Sequence, residues 1–454
     1  MKLNIQQIES ISYGKLLNLP DTFDSSAVID SRKLEPGMLF CALRGEHVDG
    51  HEYVLAAFEK KPAFCIVEKT WYNSNKISLF GKPIWVVENS EKALQLLAAK
   101  VREISDIPLL ALTGTNGKTS TRSMIVSVLN QNYHVLSTMG NLNNHLGLPL
   151  SILQIQEHHD FAVMEMGTNH FGEIEFLCQI AKPNFGLITN IGRGHTEFLE
   201  SPEGVARAKE ELFRALPREG TIFLNADDKY ISKMNYKVRN LIRYGMNSDD
   251  VAYHGTIVAT DFIGRSTLNV NNQIEINVPI PGKYQAFNAL AAVAVGHRFG
   301  VSLEKIKEAI ENHSGVGNRL GFRVNRYKIL DDTYNANPES TLAAIDTLSG
   351  IQTVAKKYFV LGDMLELGEK KESYHREMGT AVAGTDINFF LTLGPLAFYA
   401  GEAAEATGHC NWRHFTTKID MINYLKTHLT QDDMVLIKGS RGSRMEEILE
   451  GLES

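Results

Sequence analysis

Short apolar runs, each ending in polar or glycine residues, recur along the chain with helical patterns between them. In the first hundred or so residues the strand candidates are 64–67 and 84–87, followed by a helical pattern in EKALQLLAAKVREI. Pro108 then interrupts, and a new strand, LLALT, leads straight into TGTNGKTSTRSMIVSVL, which reads as strand, glycine loop and helix. DFAVMEMG, FGLITNIG and TIFLNAD follow as further short apolar runs, with helical stretches such as PEGVARAKEELFRAL between them. From about residue 317 the same pattern returns in ILDDTYNANP, YFVLGDMLELG, FFLTLG and MVLIKGSRG. Strands alternating with helices predict an α/β protein whose parallel sheets are covered on both faces. In such sheets ligands collect beyond the carboxyl ends of the strands, so the polar endings of the runs are where chemistry is expected.

Length agrees with several such units. At about 150 residues per domain, 454 residues suggest three. The pattern divides the chain into 1–105, a small α/β unit; 106–316, a parallel-sheet unit; and 317–454, a second doubly wound sheet. There is no internal repeat, low-complexity tract or long linker.

Composition narrows the class. Apolar residues make up 43% and charged residues 22%, which argues against a disordered, collagenous or coiled-coil chain. The net charge of −7 offers no global attraction to nucleic-acid backbones, and no aromatic-basic recognition stretch stands out. Cys41, Cys65, Cys178 and Cys410 form no CxxC pair and read as buried free thiols in a reducing compartment. The opening MKLNIQQIES has no basic flank before an apolar stretch, and no apolar run approaches a membrane span. A cytoplasmic protein without a membrane span is expected.

The glycine loop is the first chemical signal. GTNGKTST occupies 114–121. Gly114 and Gly117 allow the backbone to turn tightly and approach an anion, and the N–H groups of Thr115, Asn116 and Ser120 lie in the same turn. Lys118 can reach the outer phosphates, and the Thr119 hydroxyl can reach a magnesium ion. A full Walker A pattern would need glycine at 112, where this chain has Leu112. ATP is implied, and an ATPase, a kinase and an ATP-driven ligase all remain open. Glu165 ends the strand in VMEMG and offers a hard oxygen for magnesium. His195, in TNIGRGH, either completes a metal shell or hydrogen-bonds to it. Lys209, in EGVARAKEEL, has Val205 and Phe213 four residues away, no ion-pair partner at that spacing, and reads by itself as a solvated lysine.

Together, GTNGKT, the Glu165 segment, His195 and Lys209 resemble the ATP-dependent Mur ligases. GNLNNHLGLPLS at 140–151, DDTYNANP at 331–338, VLGDMLELG at 360–368 and KGSRGSRME at 438–446 bring the resemblance closest to the branch that joins D-alanyl-D-alanine to UDP-N-acetylmuramoyl-tripeptide. It extends over essentially the whole chain. It implies a small N-terminal α/β domain, a central parallel-sheet P-loop ATPase-like domain and a C-terminal doubly wound Rossmann-like domain. It also implies ATP and two magnesium ions, an acyl-phosphate route, those two substrates as partners, no nucleic acid, and a monomer. Lys209 matches the lysine that becomes carbamylated, which makes Thr119, Glu165, His195 and modified Lys209 the metal-site candidates. Asn288 in FNALAA, Arg319 in GNRL and Asp332 in DDTYNANP match nucleotide contacts, with Lys118, Arg319 and magnesium stabilising charge.

For the UDP substrate the resemblance implies Asp30, Ser31 and Arg32 of the DSR element, Gly45 and Asp49, together with Asn141, Asn143 and Asn144. Arg32 either contacts a diphosphate or pairs with a carboxylate. Tyr334, Asn335 and Asn337 are expected to shape the cleft. Two departures stand out: Tyr284-Gln285 replaces a common His-Asn pair, and Gly194 replaces a common alanine. The Mur ligase that adds the third amino acid is the nearest alternative, but its DNPR motif is missing. A folate polyglutamyl ligase would leave the first domain unexplained. A non-catalytic ATP-binding scaffold and a nucleic-acid ATPase are the alternatives from other classes.

Overall fold

Apolar runs long enough for one strand, and flanked by helices, are buried on both faces in three separate sheets of the computed structural model, which describes residues 1–194, 196–408 and 411–454. The first sheet has five strands in the order Lys15–Leu17, Ile84–Val87, Phe64–Glu68, Leu39–Cys41, Ala27–Val28, all parallel except the first pair. The helix read at 91–104 runs from Ser90 to Ser105 and is capped by Asn89, whose side chain accepts from the Lys92 N–H at 2.7 Å. Its buried face (Ala93, Leu94, Leu97, Ala98, Val101) shares a core with Leu109, Ala111, Met164 and Ile188 of the next sheet, so the first two units are packed as neighbours.

The central sheet has nine strands: Ile274–Pro281, Arg265–Val270, Tyr253–Thr260, Asn240–Gly245, Thr221–Asn225, Phe185–Ile188, Leu109–Thr113, Phe161–Glu165, Val135–Ser137. Leu109–Thr113 lies between Phe161–Glu165 and Phe185–Ile188, so successive connections leave it on opposite sides. That reversal opens a crevice at its carboxyl end, where the glycine loop begins.

Residues 253–281 depart from the strand–helix alternation expected of this region. They form three strands in antiparallel hairpins, with Asn271 and Asn272 both at positive φ in one of the turns. Ser266, Leu268 and Val270 are buried while the residues between them are not, the period-two pattern of a half-covered sheet. Their covered face packs beneath the helix Lys283–Arg298, which is buried from Ala286 to Gly296 except at Phe287.

The third sheet has six strands, ordered Gly321–Val324, Lys328–Asp332, Met434–Lys438, Lys357–Gly362, Phe389–Leu393, Asn411–Phe415. All pairs are parallel except the first. The doubly wound reading holds for the four strands read from the sequence, and Gly321–Val324 and Asn411–Phe415 extend the sheet at its two edges. Cys41, Cys65 and Cys178 are buried and unpaired, and burial pushes the Cys178 thiol up to about 12. Cys410 lies outside the described residues. Among the described residues no helix is long and apolar enough to cross a membrane.

Gly296 sets how closely Lys283–Arg298 approaches Lys118–Leu129, because a methyl group there would lie 2.2 Å from Val128 Cγ1. Gly296→Ala is expected to lower the thermal midpoint: overpacking of about 1–3 kcal/mol outweighs the roughly 1 kcal/mol by which alanine favours a helix over glycine. A midpoint at or above that of the parent would contradict this packing.

Candidate active site

The glycine loop takes its shape from the strand beside it. Gly114 has φ 152°, and a methyl group there would fall 1.8 Å from Thr189 Oγ1. Gly117 has φ 78° and caps the helix Lys118–Leu129, with a Cβ position 2.7 Å from Asn288 Oδ1. The Thr115 N–H donates to the Asn190 carbonyl at 2.9 Å, and the Asn116 N–H to Asn190 Oδ1 at 2.9 Å. The Asn116 carbonyl accepts from Thr189 Oγ1 at 2.6 Å and from Asn190 Nδ2 at 2.9 Å. Among the described residues, the N–H groups of Gly117, Lys118, Thr119 and Ser120 have no acceptor in the chain. Orphaned donors at a helix N-terminus fit a phosphate group. Lys118 Nζ rests on the carbonyls of Gly114 (2.7 Å) and Thr115 (3.1 Å). Burial pushes its amine below the ordinary lysine value, with Arg319 adding repulsion and Glu165 opposing.

Glu165 sits at the end of the neighbouring strand, 2% exposed. Its Oε2 accepts from Thr119 Oγ1 at 3.0 Å and pairs with Arg122 Nη1 at 3.2 Å, and its Oε1 accepts from Asn143 Nδ2 at 2.9 Å. A hydroxyl and a carboxylate held side by side next to a phosphate loop suit magnesium, which is commonly bound through one or two carboxylates plus substrate phosphates. No group of three or more His, Cys, Asp or Glu side chains able to hold a metal occurs among the described residues. His195 lies outside them. Lys209, which by itself reads as solvated, is instead 1% exposed in the helix Pro202–Ala215. Burial, reinforced by nearby Lys118, pushes its amine well below the ordinary value.

The opposite wall belongs to the C-terminal unit. The Arg319 guanidinium lies 3.8 Å from the centre of the Tyr334 ring. Asp332 pairs with Lys438, whose Nζ also donates to the Asn335 carbonyl at 3.0 Å. Asn337 caps the helix Pro338–Gly350 and exchanges amide hydrogen bonds with Asn116 of the loop, at 2.8 and 3.2 Å. Asn288 holds Thr121 Oγ1 (3.1 Å) and Gln285 Oε1 (3.0 Å), beside cavity-lining Tyr284, which is 57% exposed. The Asn144 side chain accepts from the Gly147 N–H at 2.9 Å, and the Asn141 carbonyl from the Asn143 N–H at 2.8 Å.

One cavity of about 1230 Å³ gathers these groups: Thr115, Asn116, Gly117, Lys118 and Ser120, then Asn141, Asn143, Asn144, Glu165 and Asn288, and across from them Arg319, Asp332, Tyr334, Asn335 and Asn337. Gly114, Thr119 and Lys209 do not line it. Its volume exceeds the usual ~300–1,000 Å³ of a single small-molecule pocket. Asp30, Ser31, Arg32, Gly45 and Asp49 do not line it. Of the two expectations for Arg32, the carboxylate pair is present: the guanidinium, 88% exposed, forks onto Asp30 at 2.9 and 2.9 Å. That contact holds the Asp30 carboxyl down to about 2. Lys60 Nζ donates to the Ser31 carbonyl at 2.8 Å, the Gly45 N–H to the Val48 carbonyl at 2.9 Å, and Asp49 Oδ1 holds His51 at 2.6 Å.

Family models match all three units: the Mur ligase middle domain over residues 112–296, the Mur ligase, glutamate ligase domain over 318–441, and the Mur ligase family, catalytic domain over 26–113. The chain belongs to the Mur ligase family. A curated relative, UDP-N-acetylmuramoyl-tripeptide–D-alanyl-D-alanine ligase of Bacillus subtilis, is 34% identical and covers 100% of this chain and 98% of its own. Among solved structures, MurF from Acinetobacter baumannii superposes with a TM-score of 0.87 at 30% identity, covering 100% and 99% of the two chains. MurF from Thermotoga maritima, solved in complex with ADP, has a TM-score of 0.80 at 25% identity, covering 94% and 96%. This Mur ligase is accordingly an ATP-dependent enzyme that works with magnesium.

Sequence reasoning missed Lys438, which lines the cavity, and Arg122 and Arg193, which pair with Glu165 and with Glu339 and Glu377 around it. Lys438 had a signal, since it is the polar ending of an apolar strand. Arg122 and Arg193 had none, because their partners are distant in sequence. Gly194 is explained by its surroundings: a methyl group there would stand 2.9 Å from Thr115 Cγ2.

Gly117→Ala introduces left-handed strain of about 1–2 kcal/mol and a contact with Asn288, and is expected to weaken ADP binding, read by calorimetry, roughly tenfold or more. Parent-like affinity would contradict it. Arg32→Ala is expected to release the Asp30 carboxyl upward from about 2 toward the usual carboxylate range, followed by NMR titration. Because the folded-state value is depressed, the stability from this pair is present above the ordinary carboxylate range and is lost as pH falls through about 2. An unmoved Asp30 titration would show that another group holds it.

Proposed function

We propose that this Mur ligase joins D-alanyl-D-alanine to UDP-N-acetylmuramoyl-tripeptide, consuming ATP and forming an amide bond. The observation that carries the reading is end-to-end similarity to ligases of that name, combined with a phosphate loop opening into a cavity larger than one small ligand needs. We take 1–105 as the UDP-substrate domain, 106–316 as the ATP domain and 317–454 as the ligase domain, since each interval contains its own sheet of five or more strands.

A free carboxylate is a poor acyl donor, because an amine would have to expel oxide from it. The peptide carboxylate takes the γ-phosphoryl group of ATP, the bond between the β- and γ-phosphates breaks, and ADP departs to leave an acyl phosphate; the dipeptide amine then attacks the acyl carbon, loses a proton, and expels inorganic phosphate as the amide forms. The protein's part is alignment and charge stabilisation. The unpaired N–H groups from Gly117 to Ser120 hold phosphate oxygens, with Gly114, Thr115 and Asn116 shaping the turn. Lys118 exchanges its two carbonyl contacts for phosphate oxygens, and Arg319, stacked on Tyr334, meets the same charge from the C-terminal side. Thr119 and Glu165, with His195 and modified Lys209, would hold two magnesium ions, which would neutralise phosphate charge. Asp332 and Asn288 hold the nucleoside. Asn141, Asn143, Asn144, Tyr334, Asn335 and Asn337 line the peptide end, and Asp30, Ser31, Arg32, Gly45 and Asp49 serve the UDP end.

The surroundings of Lys209 favour carbamylation. The unprotonated amine adds to CO₂, an N–C bond forms, one proton leaves, and the side chain becomes an anion with two oxygen donors. Burial and Lys118 both disfavour the ammonium form, and Lys118 favours the anion that replaces it.

The deciding experiment is ligation with D-alanyl-D-alanine against single amino acids, using UDP-tripeptides ending in meso-diaminopimelate or L-lysine, with products identified by mass spectrometry. The pentapeptide product is expected only with the dipeptide. ADP release with another amine and none with the dipeptide would overturn the reading. Lys118→Ala is expected to lower kcat/KM by on the order of 10²–10³. A ¹³C-bicarbonate carbamate signal is expected in the parent, weaker at acid pH where the amine is protonated and lost in Lys209→Ala; a signal unchanged in that variant would place the carbamate elsewhere.

A further inference from the structure

We propose that Arg193 is a positioning residue: it fastens the C-terminal domain to the phosphate loop and thereby sets the geometry of the cleft. Arg193 lies in the central-domain loop after Phe185–Ile188, but its side chain is committed to the C-terminal domain. Nε meets Glu339 Oε1 at 2.6 Å, while Nη1 and Nη2 fork onto the two oxygens of Glu377 at 2.6 and 3.0 Å. The guanidinium also lies 4.9 Å from the centre of the Tyr374 ring. The Arg193 N–H donates to Glu339 Oε2 at 2.9 Å. Glu339 is in the first turn of the helix Pro338–Gly350, and Glu377 is in Lys371–Ala383, so one residue engages two helices.

A lone surface ion pair would carry little weight. This one is half-buried, forked and stacked, which only a guanidinium can arrange. Glycine flanks it on both sides for a steric reason. A methyl group at Gly192 would lie 2.9 Å from Glu339 Oε2, and one at Gly194 would lie 2.9 Å from Thr115 Cγ2 and 3.4 Å from Asn337 Nδ2. The loop is therefore pressed between the two domains.

The contacts continue to the phosphate site. The Gly192 N–H donates to Thr115 Oγ1 at 2.9 Å, and Asn337, two residues before Glu339, exchanges amide bonds with Asn116. The start of one C-terminal helix thus touches both the Arg193 loop and the glycine loop. Asp332 and Tyr334 lie on the segment leading into that helix, so fastening the helix also places the groups facing the nucleotide. Arg193 does not line the cavity; it acts through residues that do.

The inference rests on the ligase reading for its kinetic arm only; its structural arm is independent of substrate. Arg193→Ala, Arg193→Lys, Glu377→Gln and the Arg193→Ala/Glu377→Gln double variant are compared in the full-length chain. Small-angle scattering is recorded with and without ADP, and kcat, KM for ATP and KM for D-alanyl-D-alanine are measured separately. Arg193→Ala is expected to enlarge the radius of gyration of the free protein and to raise the KM values roughly tenfold, a typical coupling between sites. Lysine at 193 is expected to recover only part of this, and Glu377→Gln to act in the same direction. The double variant is expected to fall short of the sum of the singles, as for residues in contact. A parent-like radius and KM with a lowered melting midpoint would overturn the proposal, as would strict additivity. If the parent itself does not ligate the dipeptide, the functional reading fails while the scattering comparison still decides the role of Arg193.

Discussion

The N–H groups at the start of the helix Lys118–Leu129 have no acceptor in the chain among the described residues, and a phosphate needs them so. Everything around the loop follows from that requirement. The Asn116 carbonyl is engaged by Thr189 and Asn190, and the first two N–H groups of the turn are spent on Asn190. Gly114 and Gly117 are needed because neighbouring side chains, Thr189 and Asn288, occupy the space that a Cβ would fill. The switch in strand order around Leu109–Thr113 supplies the crevice into which these donors open.

Charge in the cleft is treated in two ways. Glu165 is matched by Thr119, Arg122 and Asn143, and Asp332 by Lys438, so both carboxylates have donors within the chain. Lys209 is the contrast: it is fully buried, and no hydrogen bond or ion pair to it is formed among the described residues. A protein does not ordinarily bury an ammonium group without compensation. Carbamylation, proposed above, would remove that conflict by turning the cation into an anion.

Much of this was legible from residue order. Strands covered on both faces read as unbroken apolar runs, so four strands of the C-terminal sheet and four of the central sheet were visible, while Val135–Ser137, Asn240–Gly245, Gly321–Val324 and Asn411–Phe415, which are less completely buried, were not. Glu165 and Asp332 were visible because a polar residue ending such a run has somewhere particular to be. The antiparallel hairpins at 253–281 were not visible, since half-covered strands alternate weakly and their polar positions resemble a loop. The burial of Lys209 was hidden for a different reason: a helix buries whichever residues its neighbours cover, and those neighbours come from elsewhere in the chain. Arg193 was hidden because its partners stand 146 and 184 positions away. The DSR element was recognisable, yet its distance from the main cavity is a property of how the domains pack.

The resting position of Lys118 has a consequence for selectivity among anions. Its ammonium group lies against two carbonyl oxygens rather than in bulk water. An arriving anion therefore replaces contacts that already exist, and its net gain is the difference between the two sets. A single small oxyanion offers few atoms to outweigh that exchange, whereas a chain of linked phosphates reaches the lysine, the helix start and the opposite arginine together. The loop in this way favours a chain of linked phosphates over a lone small oxyanion.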